Sequence, residues 1–236
     1  MTARGQHAHR PATELPESLR RHLERNVPPR DPLPQRVRLT QVGEMWMKRG
    51  GRAMPFRATQ EYAVAEVAFS WRARFPLAPL VWLEVVDSFE AGEGSLGARL
   101  WGRLRVMHSE GPMTNAGEAM RYLAELAWVP YAIVGNTALE WRPVGEDAVD
   151  VTTRVGNGAV SVQLHFDASG DIAGASALAR QRQVGKETVA TPWGGWFSDY
   201  EVVGAVRIPT RAEVYWDLPE GRFTYFRGTV TALELD

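Results

Sequence analysis

The sequence predicts a mainly β (α+β) protein, a single strongly curved antiparallel sheet or open half-barrel of about eleven strands with one or two helices over its concave face. Two observations predict this fold. Apolar and polar residues alternate with a period of two from about Arg36 to the C-terminus, which is typical of strands that turn one face to a core. In residues 114–128 the apolar residues instead recur at helical spacing.

Length, charge and cysteine content exclude several functions. A chain of 236 residues can form one large β domain without a disulfide or metal staple. It has no cysteine, which excludes thiolate metal sites and cysteine nucleophiles. Its 27 basic and 28 acidic residues give a net charge of −1, so we expect no nucleic-acid partner, because phosphate binding needs a basic excess.

The apolar segments are short. No segment approaches the ~20 apolar residues that a membrane helix needs, and the N-terminus has no apolar signal region. We therefore expect a soluble, cytoplasmic protein with no stable membrane insertion.

The chain is expected to have three parts. Residues 1–13 are polar and lack periodicity, which predicts a disordered tail. Residues 14–35 are expected to hold a short helix and a proline-rich connector. Residues 36–236 are expected to form the single half-barrel domain.

The short helix has a start signal and an apolar face. Pro16 suits the first helical position, Leu19 and Leu23 share one face, and the helix is expected to end near Asn26. The prolines of residues 28–34 then predict a stiff, extended segment.

Alternation places the strands, and the change of period places one helix between them. The clearest strand covers residues 67–75, and the helix at 114–128 is expected to have Thr114 or Asn115 as its cap and to end or kink at Pro130. The other strands are expected at about 36–47, 80–89, 96–107, 138–143, 148–155, 159–166, 172–180, 184–188, 196–203, 206–216 and 222–233.

Residues 92–97 match the letters of the dinucleotide fingerprint G-x-G-x-x-G. That motif binds pyrophosphate only where it opens a helix, whereas the residues that follow here alternate as a strand. We interpret the segment as a hairpin turn. No metal-ligand spacing occurs in the folded region either, so we expect no cofactor and no metal.

The predicted helix carries four polar residues, Glu118, Arg121, Tyr122 and Glu125, spaced to pair at i,i+3 and i,i+4. They are explained by a solvated helix face. In a second interpretation, one carboxylate points under the helix and is desolvated, so that its pKa is high enough for proton transfer. His165 lies on the polar side of a strand and could act as an acid–base only if that side lines a concave surface.

Nine tryptophans are the richest signal in the composition. Each brings a large apolar area with one N–H to satisfy, and most are expected in the core. Trp101, however, is expected on the face opposite to Leu100 and Leu104, and Trp193 and Trp196 flank a Gly-Gly pair. Aromatic residues on both faces predict that the second face is covered by the helix or by a ligand. We therefore hypothesise a cavity for an apolar small molecule.

Three segments carry a resemblance to a known family: residues 43–56, residues 117–125 with Trp128 and Pro130, and the Trp-Gly-Gly of residues 193–195. They resemble a bacterial family of uncharacterised proteins known only as a domain of unknown function. The resemblance covers nearly the whole chain and implies no activity. More remotely, residues 164–170 and 199–209 are similar to LolA-type lipoprotein carriers, which implies an open half-barrel holding a lipid chain beneath its helices.

These predictions favour binding of a hydrophobic small molecule or acyl chain in a cavity between curved sheet and helix. The alternatives are an enzyme using Glu118 or Glu125 as acid–base, with Arg121 on an anionic group and His165 or Tyr200 assisting, and a scaffold that binds a partner at its sheet edge. The sequence leaves the oligomeric state open. The candidate ligand contacts are Trp71, Trp101, Arg121, Tyr122, Trp128, Trp193, Trp196 and Tyr200.

Overall fold

The computed structural model describes residues 10–185 and 187–236. Their strands form one open antiparallel sheet of 13 strands, instead of about eleven. In chain order they are β1 Arg36–Met45, β2 Met54–Ala63, β3 Phe69–Ala78, β4 Val81–Glu90, β5 Glu93–Leu100, β6 Leu104–Glu110, β7 Glu140–Val144, β8 Ala148–Val155, β9 Gly158–Phe166, β10 Ile172–Val184, β11 Glu187–Val203, β12 Val206–Leu218 and β13 Gly221–Leu235.

The sheet consists of two meanders. Its order is β6-β5-β4-β3-β2-β1-β13-β12-β11-β10-β9-β8-β7, so the first and last strands of the chain pair at its centre. The strands β6 and β7 are its two edges, and the helical segment of the chain lies between them in sequence.

The described helices are α1 Glu17–Asn26, α2 Pro112–Ala124 and α3 Tyr131–Gly135, with short 3-10 turns at Ala12–Glu14 and Glu125–Ala127. None of them is long and apolar enough to cross a membrane.

The helix α2 begins before the predicted cap. Gly111, with a φ of 101°, turns the chain out of β6, and Pro112 takes the first helical position. Thr114 and Asn115 lie inside the helix instead. The Asn115 side-chain oxygen accepts a hydrogen bond from the Gly94 backbone N–H at 2.8 Å and so joins the helix to β5.

The sheet curves around α2. Strands β3 to β6 form one wing of the sheet, and strands β7 to β12 form the other. The helix α2 packs against β4, β5 and β6 in the first wing and against β8, β9 and β10 in the second. Gly43 and Gly228 pair at the centre, where a Cβ on Gly43 would collide with the carbonyl oxygen of Arg227. Strand glycines allow such close approach at a bend, so the central strands can fold the two wings toward each other.

Two strands were not predicted as separate elements. β2 lies where no alternation was recognised, and the predicted strand at 96–107 is wrong, because it is the β5–β6 hairpin. Trp101 and Gly102 form its turn, with φ values of 53° and 68°, the left-handed conformation that tight hairpin turns require. The predicted strand at 184–188 is also wrong, because β10 ends at Val184 and β11 begins at Glu187.

Several local predictions are confirmed. The chain turns at Ala91 and Gly92 between β4 and β5, so the G-x-G-x-x-G segment opens a strand. In residues 69–75 of β3 the apolar residues are buried, and Ser70, Arg72 and Arg74 between them are exposed. Leu19 and Leu23 of α1 share one face as predicted, and both are buried. Pro16 precedes the helix as its cap residue and is not its first helical residue.

The predicted tail falls largely on residues 1–9, which lie outside the described residues. The Arg10 backbone N–H donates to the Val134 carbonyl at 2.9 Å, and its guanidinium donates to the Leu139 carbonyl at 2.8 Å. These contacts hold the start of the described chain against α3 and the residues that follow it.

Candidate ligand-binding site

Five charged side chains meet beneath α2 on the concave side of the sheet. We call them the buried polar cluster: Asp87 on β4, Glu118 and Arg121 on α2, Glu125 just after it, and Arg180 on β10. Because β4 and β10 belong to opposite wings, the cluster connects the two wings through the helix.

Arg121 is the centre of the cluster. Its guanidinium pairs with Asp87 and, at 2.9 Å, with Glu125, and it lies 5.0 Å above the Phe69 ring and 5.1 Å above the Trp71 ring. Burial by itself lowers the pKa of Arg121, but the Glu125 and Asp87 carboxylates outweigh this and raise that pKa. The guanidinium is therefore a permanent buried cation.

Glu125 is fully engaged by its neighbours. One oxygen accepts hydrogen bonds from the Gln60 amide at 2.7 Å and the Tyr62 hydroxyl at 2.8 Å, and the other pairs with Arg121. The predicted i,i+4 pair of Arg121 and Glu125 is confirmed, but the predicted solvated helix face is wrong, because both side chains lie beneath the helix.

Glu118 is the least satisfied member of the cluster. It is 6% exposed, and its nearest cation is the Arg180 guanidinium at 3.8 Å. Among the described residues, one oxygen of Glu118 and one of Asp87 have no hydrogen-bond partner. Burial and the Asp87 charge raise the pKa of Glu118 well above its ordinary value. A protonated Glu118 leaves the cluster neutral, with two arginines against Asp87 and Glu125.

Arg180 also contacts an aromatic pair. Its guanidinium lies 4.3 Å above the Trp193 ring, and the Trp193 indole N–H donates to the Tyr225 hydroxyl at 3.0 Å. Burial raises the pKa of Tyr225, so this phenol serves as a neutral hydrogen-bonding group. The cluster thus borders a set of large rings.

Beyond these rings the concave face becomes exposed toward one end of the sheet. In one wing, Phe75, Leu83, Leu100 and Leu104 stand directly opposite one another on four neighbouring strands, β3 to β6. Their exposure rises from 2% at Phe75 to 59% at Leu104. Directly paired residues share a face of a sheet, so this row is a continuous apolar surface that runs from core to solvent.

The other wing and the centre continue this surface. Trp193, Trp216 and Phe223 pair across β11, β12 and β13, and Tyr225 stacks on Trp216 at 6.1 Å. We call the partly exposed concave surface the open end of the sheet; it consists of Met45, Met54, Leu83, Leu100, Leu104, Trp216, Phe223 and Tyr225.

Arginines lie over the rings of the open end. Arg182 is placed 5.8 Å above Trp216, and Arg49 is placed 5.9 Å above Phe223. Arg49 donates to the Gly221 carbonyl at 2.6 Å. The Nε atom of Arg182 is buried and has no hydrogen-bond partner among the described residues. A cation with an unused donor therefore stands beside an apolar surface.

Only some of the predicted ligand contacts lie in or beside the buried polar cluster. Trp71, Arg121 and Trp193 do, together with Glu118 and Glu125. Tyr122 and Trp128 are buried deeper in the core, where their polar atoms donate to backbone carbonyls of Ala63 and Pro209. The centre of the predicted cavity is filled by such fully buried side chains, so the accessible part of the concave face is the open end.

The remaining predicted residues lie elsewhere. Trp101 is 44% exposed in its hairpin turn, and Trp196 is 46% exposed on the convex face, where it stacks on Tyr215. Tyr200 donates to the Ile172 carbonyl at 2.9 Å near α1. His165, whose pKa burial lowers, lies 2.7 Å from the Ser176 hydroxyl, on the side of β9 opposite to the buried core residues.

Sequence reasoning missed Asp87, Arg180, Arg182 and Tyr225. Asp87 had a usable signal, because it occupies the apolar register of its strand between Val85 and Phe89. The others had none, because β-bulges decide which face they occupy. One extra residue lies between Ala177 and Arg180 in β10, and Tyr225 is the extra residue in β13.

Two open grooves lie on the convex face. One, of about 420 Å³, runs over β11 to β13 and is bordered by charged pairs such as Arg227 and Glu213 at 2.9 Å. The other, of about 650 Å³, covers β1 to β3 and includes Arg74, which lies 4.0 Å above the Trp82 ring. Within residues 10–185 and 187–236, no three acidic or histidine side chains are grouped as a metal site requires.

Fold and site together define a class of protein, an open antiparallel half-barrel with a helix and a polar cluster in its concave face. The chain belongs to the family of unknown function DUF6544, whose model matches residues 6–228. The predicted membership in a family of unknown function is thereby confirmed. No curated protein matches the chain.

Three solved structures are similar over most of their length. A domain proposed to be an outer membrane lipoprotein-sorting protein from Vibrio parahaemolyticus is 8% identical, with 96% of this chain and 94% of that chain covered and a TM-score of 0.49. A DUF1329 family protein from Desulfovibrio piger is 11% identical, with 86% of each chain covered and a TM-score of 0.47. A LolA superfamily protein from Nitrosomonas europaea is 10% identical, with 93% and 92% covered and a TM-score of 0.42.

Proposed function

We propose that this protein binds a hydrophobic small molecule or an acyl chain on the open end of its concave face. The observation that carries the proposal is the row from Phe75 to Leu104, an apolar surface that is continuous with the core and increasingly exposed. Contiguous exposed apolar surface on a soluble protein commonly marks a binding site, and concave apolar surfaces with a few polar groups are typical of ligand pockets.

The energetics favour a long chain. Burying one methylene group contributes roughly 0.8 kcal/mol, while association costs on the order of 4–15 kcal/mol in lost freedom. A short apolar molecule therefore binds weakly, whereas roughly ten or more methylene groups can offset that cost. The row of leucines and the rings of the opposite wing provide the apolar contacts that such a chain needs.

Native mass spectrometry of freshly purified protein, followed by solvent extraction, tests the proposal. The expected result is an amphiphile bound in stoichiometric amount, and its reloading onto stripped protein. A clean unliganded mass, together with no uptake of dodecyl maltoside by stripped protein, would contradict the proposal.

Variants locate the ligand. We expect Leu83→Gln and Leu100→Gln to weaken dodecyl maltoside binding, because each places a polar group in the partly exposed leucine row. Leu178→Gln changes a leucine that is exposed on β10 outside this row, and it is the matched control that should bind normally. Equal effects of all three substitutions would place the ligand elsewhere.

Acid–base chemistry on the bound molecule is the second candidate function. The buried Glu118, with an oxygen that has no hydrogen-bond partner among the described residues and lies near Asp87, favours it. A buried carboxyl group whose pKa is raised is suited to act as a general acid or base. Conversion of the extracted amphiphile by the wild-type protein and not by Glu118→Gln would establish this function, and an unchanged amphiphile would exclude it for that molecule.

A further inference from the structure

We propose that the open end selects a long-chain carboxylate, whose head group binds to Arg180 and Arg182 while its chain lies along the apolar concave surface. This inference rests on the proposed function and names the ligand class of the same site. It commits to a single-chain amphiphile with one negative charge.

The two arginines are placed to act together. They are two residues apart on β10, so their side chains leave the same face of the strand. Arg180 lies over Trp193 and Arg182 over Trp216, and these rings stand directly opposite each other in the β11–β12 pair. The rings hold the guanidinium planes at the point where the buried polar cluster meets the open end.

Few partners contact the two guanidinium groups within the described part of the chain, and the buried Nε of Arg182 has no hydrogen-bond partner there. Arg180 has a single ion-pair contact among the described residues, at 3.8 Å from Glu118, and Arg182 has none there. Residues 1–9 and Lys186 contain no acidic side chain, so no carboxylate from those positions can complete the pair. An unpaired guanidinium that is partly desolvated favours a bound anion, and its planar fork matches a carboxylate in particular.

Charge counting favours a head group with one negative charge. The buried polar cluster and Arg182 together carry three arginines and three carboxyl groups. Burial and the Asp87 charge raise the pKa of Glu118 and so favour its protonated, neutral form. With Glu118 neutral, one positive charge remains in excess, and a single carboxylate balances it where a dianionic phosphate would leave a net negative charge.

The test compares four amphiphiles with the same alkyl chain: dodecanoate, dodecyl phosphate, dodecyl maltoside and dodecyltrimethylammonium. Each is titrated below its micelle concentration into stripped protein at neutral pH, by calorimetry. We expect dodecanoate to bind most tightly and the cationic amphiphile least. Equal affinity for dodecanoate and dodecyl maltoside would overturn the inference, and tighter binding of dodecyl phosphate would overturn the choice of carboxylate.

Arg182→Met separates charge from packing, because methionine retains an apolar stem over Trp216. We expect this variant to weaken dodecanoate binding roughly tenfold to a hundredfold, since hydrogen bonds to a charged group are worth about 1.5–3 kcal/mol. Its affinity for dodecyl maltoside should stay within about twofold. Arg182→Lys retains the charge and loses the fork, and it should recover only part of the affinity.

Arg74→Met is the matched control, because Arg74 also lies over a tryptophan but borders the groove on the convex face. We expect normal dodecanoate binding in this variant. Loss of binding in Arg74→Met with normal binding in Arg182→Met would overturn the inference and place the ligand on the convex face. If none of the four amphiphiles binds to the wild-type protein, the proposed function itself fails, which is distinguishable from equal binding of all head groups.

Discussion

Gly117 of α2 and Arg180 of β10 lie in direct contact: a Cβ placed on Gly117 would lie 3.6 Å from Nη2 and 3.7 Å from Nε of Arg180. The guanidinium group therefore passes against the helix backbone on its way to Glu118. A glycine within a helix is less favourable than alanine. A methyl group would fit here at ordinary contact distance, so the close approach of Arg180 excludes only larger side chains.

Substitutions at Gly117 should separate these two effects. Gly117→Ala puts a methyl group at ordinary contact distance, and we expect it to raise the free energy of unfolding by about 0.5–1 kcal/mol. Gly117→Leu must displace the Arg180 guanidinium, so we expect a loss of stability and of dodecanoate binding. Urea unfolding and calorimetry measure both, and a leucine variant as stable as the alanine variant would contradict the described contact.

Removal of Arg121 should be costly. Arg121→Met leaves Asp87 and Glu125 buried without their shared cation, and breaking a buried ion pair in this way costs about 3–5 kcal/mol. Arg142→Met removes the exposed pair with Asp150, for which we expect about 0–1 kcal/mol. Urea unfolding at neutral pH compares the two, and similar losses would show that the buried polar cluster does not hold the wings together.

Glu118 should make stability depend on pH in a defined direction. Because its pKa is raised in the folded state, its contribution to stability is fully present below the ordinary carboxyl pKa and is lost as the pH rises through the folded-state value. Glu118→Gln removes this loss. We expect the free energy of unfolding of the variant to increase relative to that of the wild-type protein as the pH rises. The exposed Glu220→Gln variant provides the baseline, and a difference that shrinks with rising pH would contradict the assignment.

His22 should act in the opposite direction. It lies on the buried face of α1, and burial lowers its pKa from 6.5 to about 4. Between these two pH values the unfolded chain binds a proton on His22, whereas the folded chain does not. The free energy of unfolding should therefore fall as the pH drops from about 6.5 to about 4, by about 3 kcal/mol in all. In His22→Gln this component should be missing from the unfolding curves. Parallel pH profiles of variant and wild type would show that His22 does not carry it.

Much of the architecture could be predicted from the residue pattern. The alternation in β3 and the short apolar face of α1 report burial directly, because a strand and a helix each return to the same face at a fixed spacing. The hairpin at Trp101 was missed because the alternation of its two strands continues through the turn. The residue pattern does not reveal that Trp101 and Gly102 take the left-handed backbone conformation, so they read as two further residues of a strand.

The candidate site was only partly predictable. The grouping of Glu118, Arg121 and Glu125 could be predicted, since helical spacing places them on one face. Whether that face is solvated or buried could not be predicted, because both kinds of face have the same spacing. Asp87 joins them only when β4 pairs with β3 and curves beneath α2. Its position in the apolar register of β4 signals burial but does not reveal its partners. Arg180, on the other wing, has no local signal, because a β-bulge decides which face it occupies.

The sequence by itself determined the class of the fold, the position of the helix and the apolar register of most strands, because these depend on local periodicity. Only the tertiary structure decided which arginines and rings face the concave side. Each β-bulge shifts the register by one residue, so Arg180 and Tyr225 face inward against the simple alternation of their strands. The curvature of the sheet then brings them to the residues of the other wing.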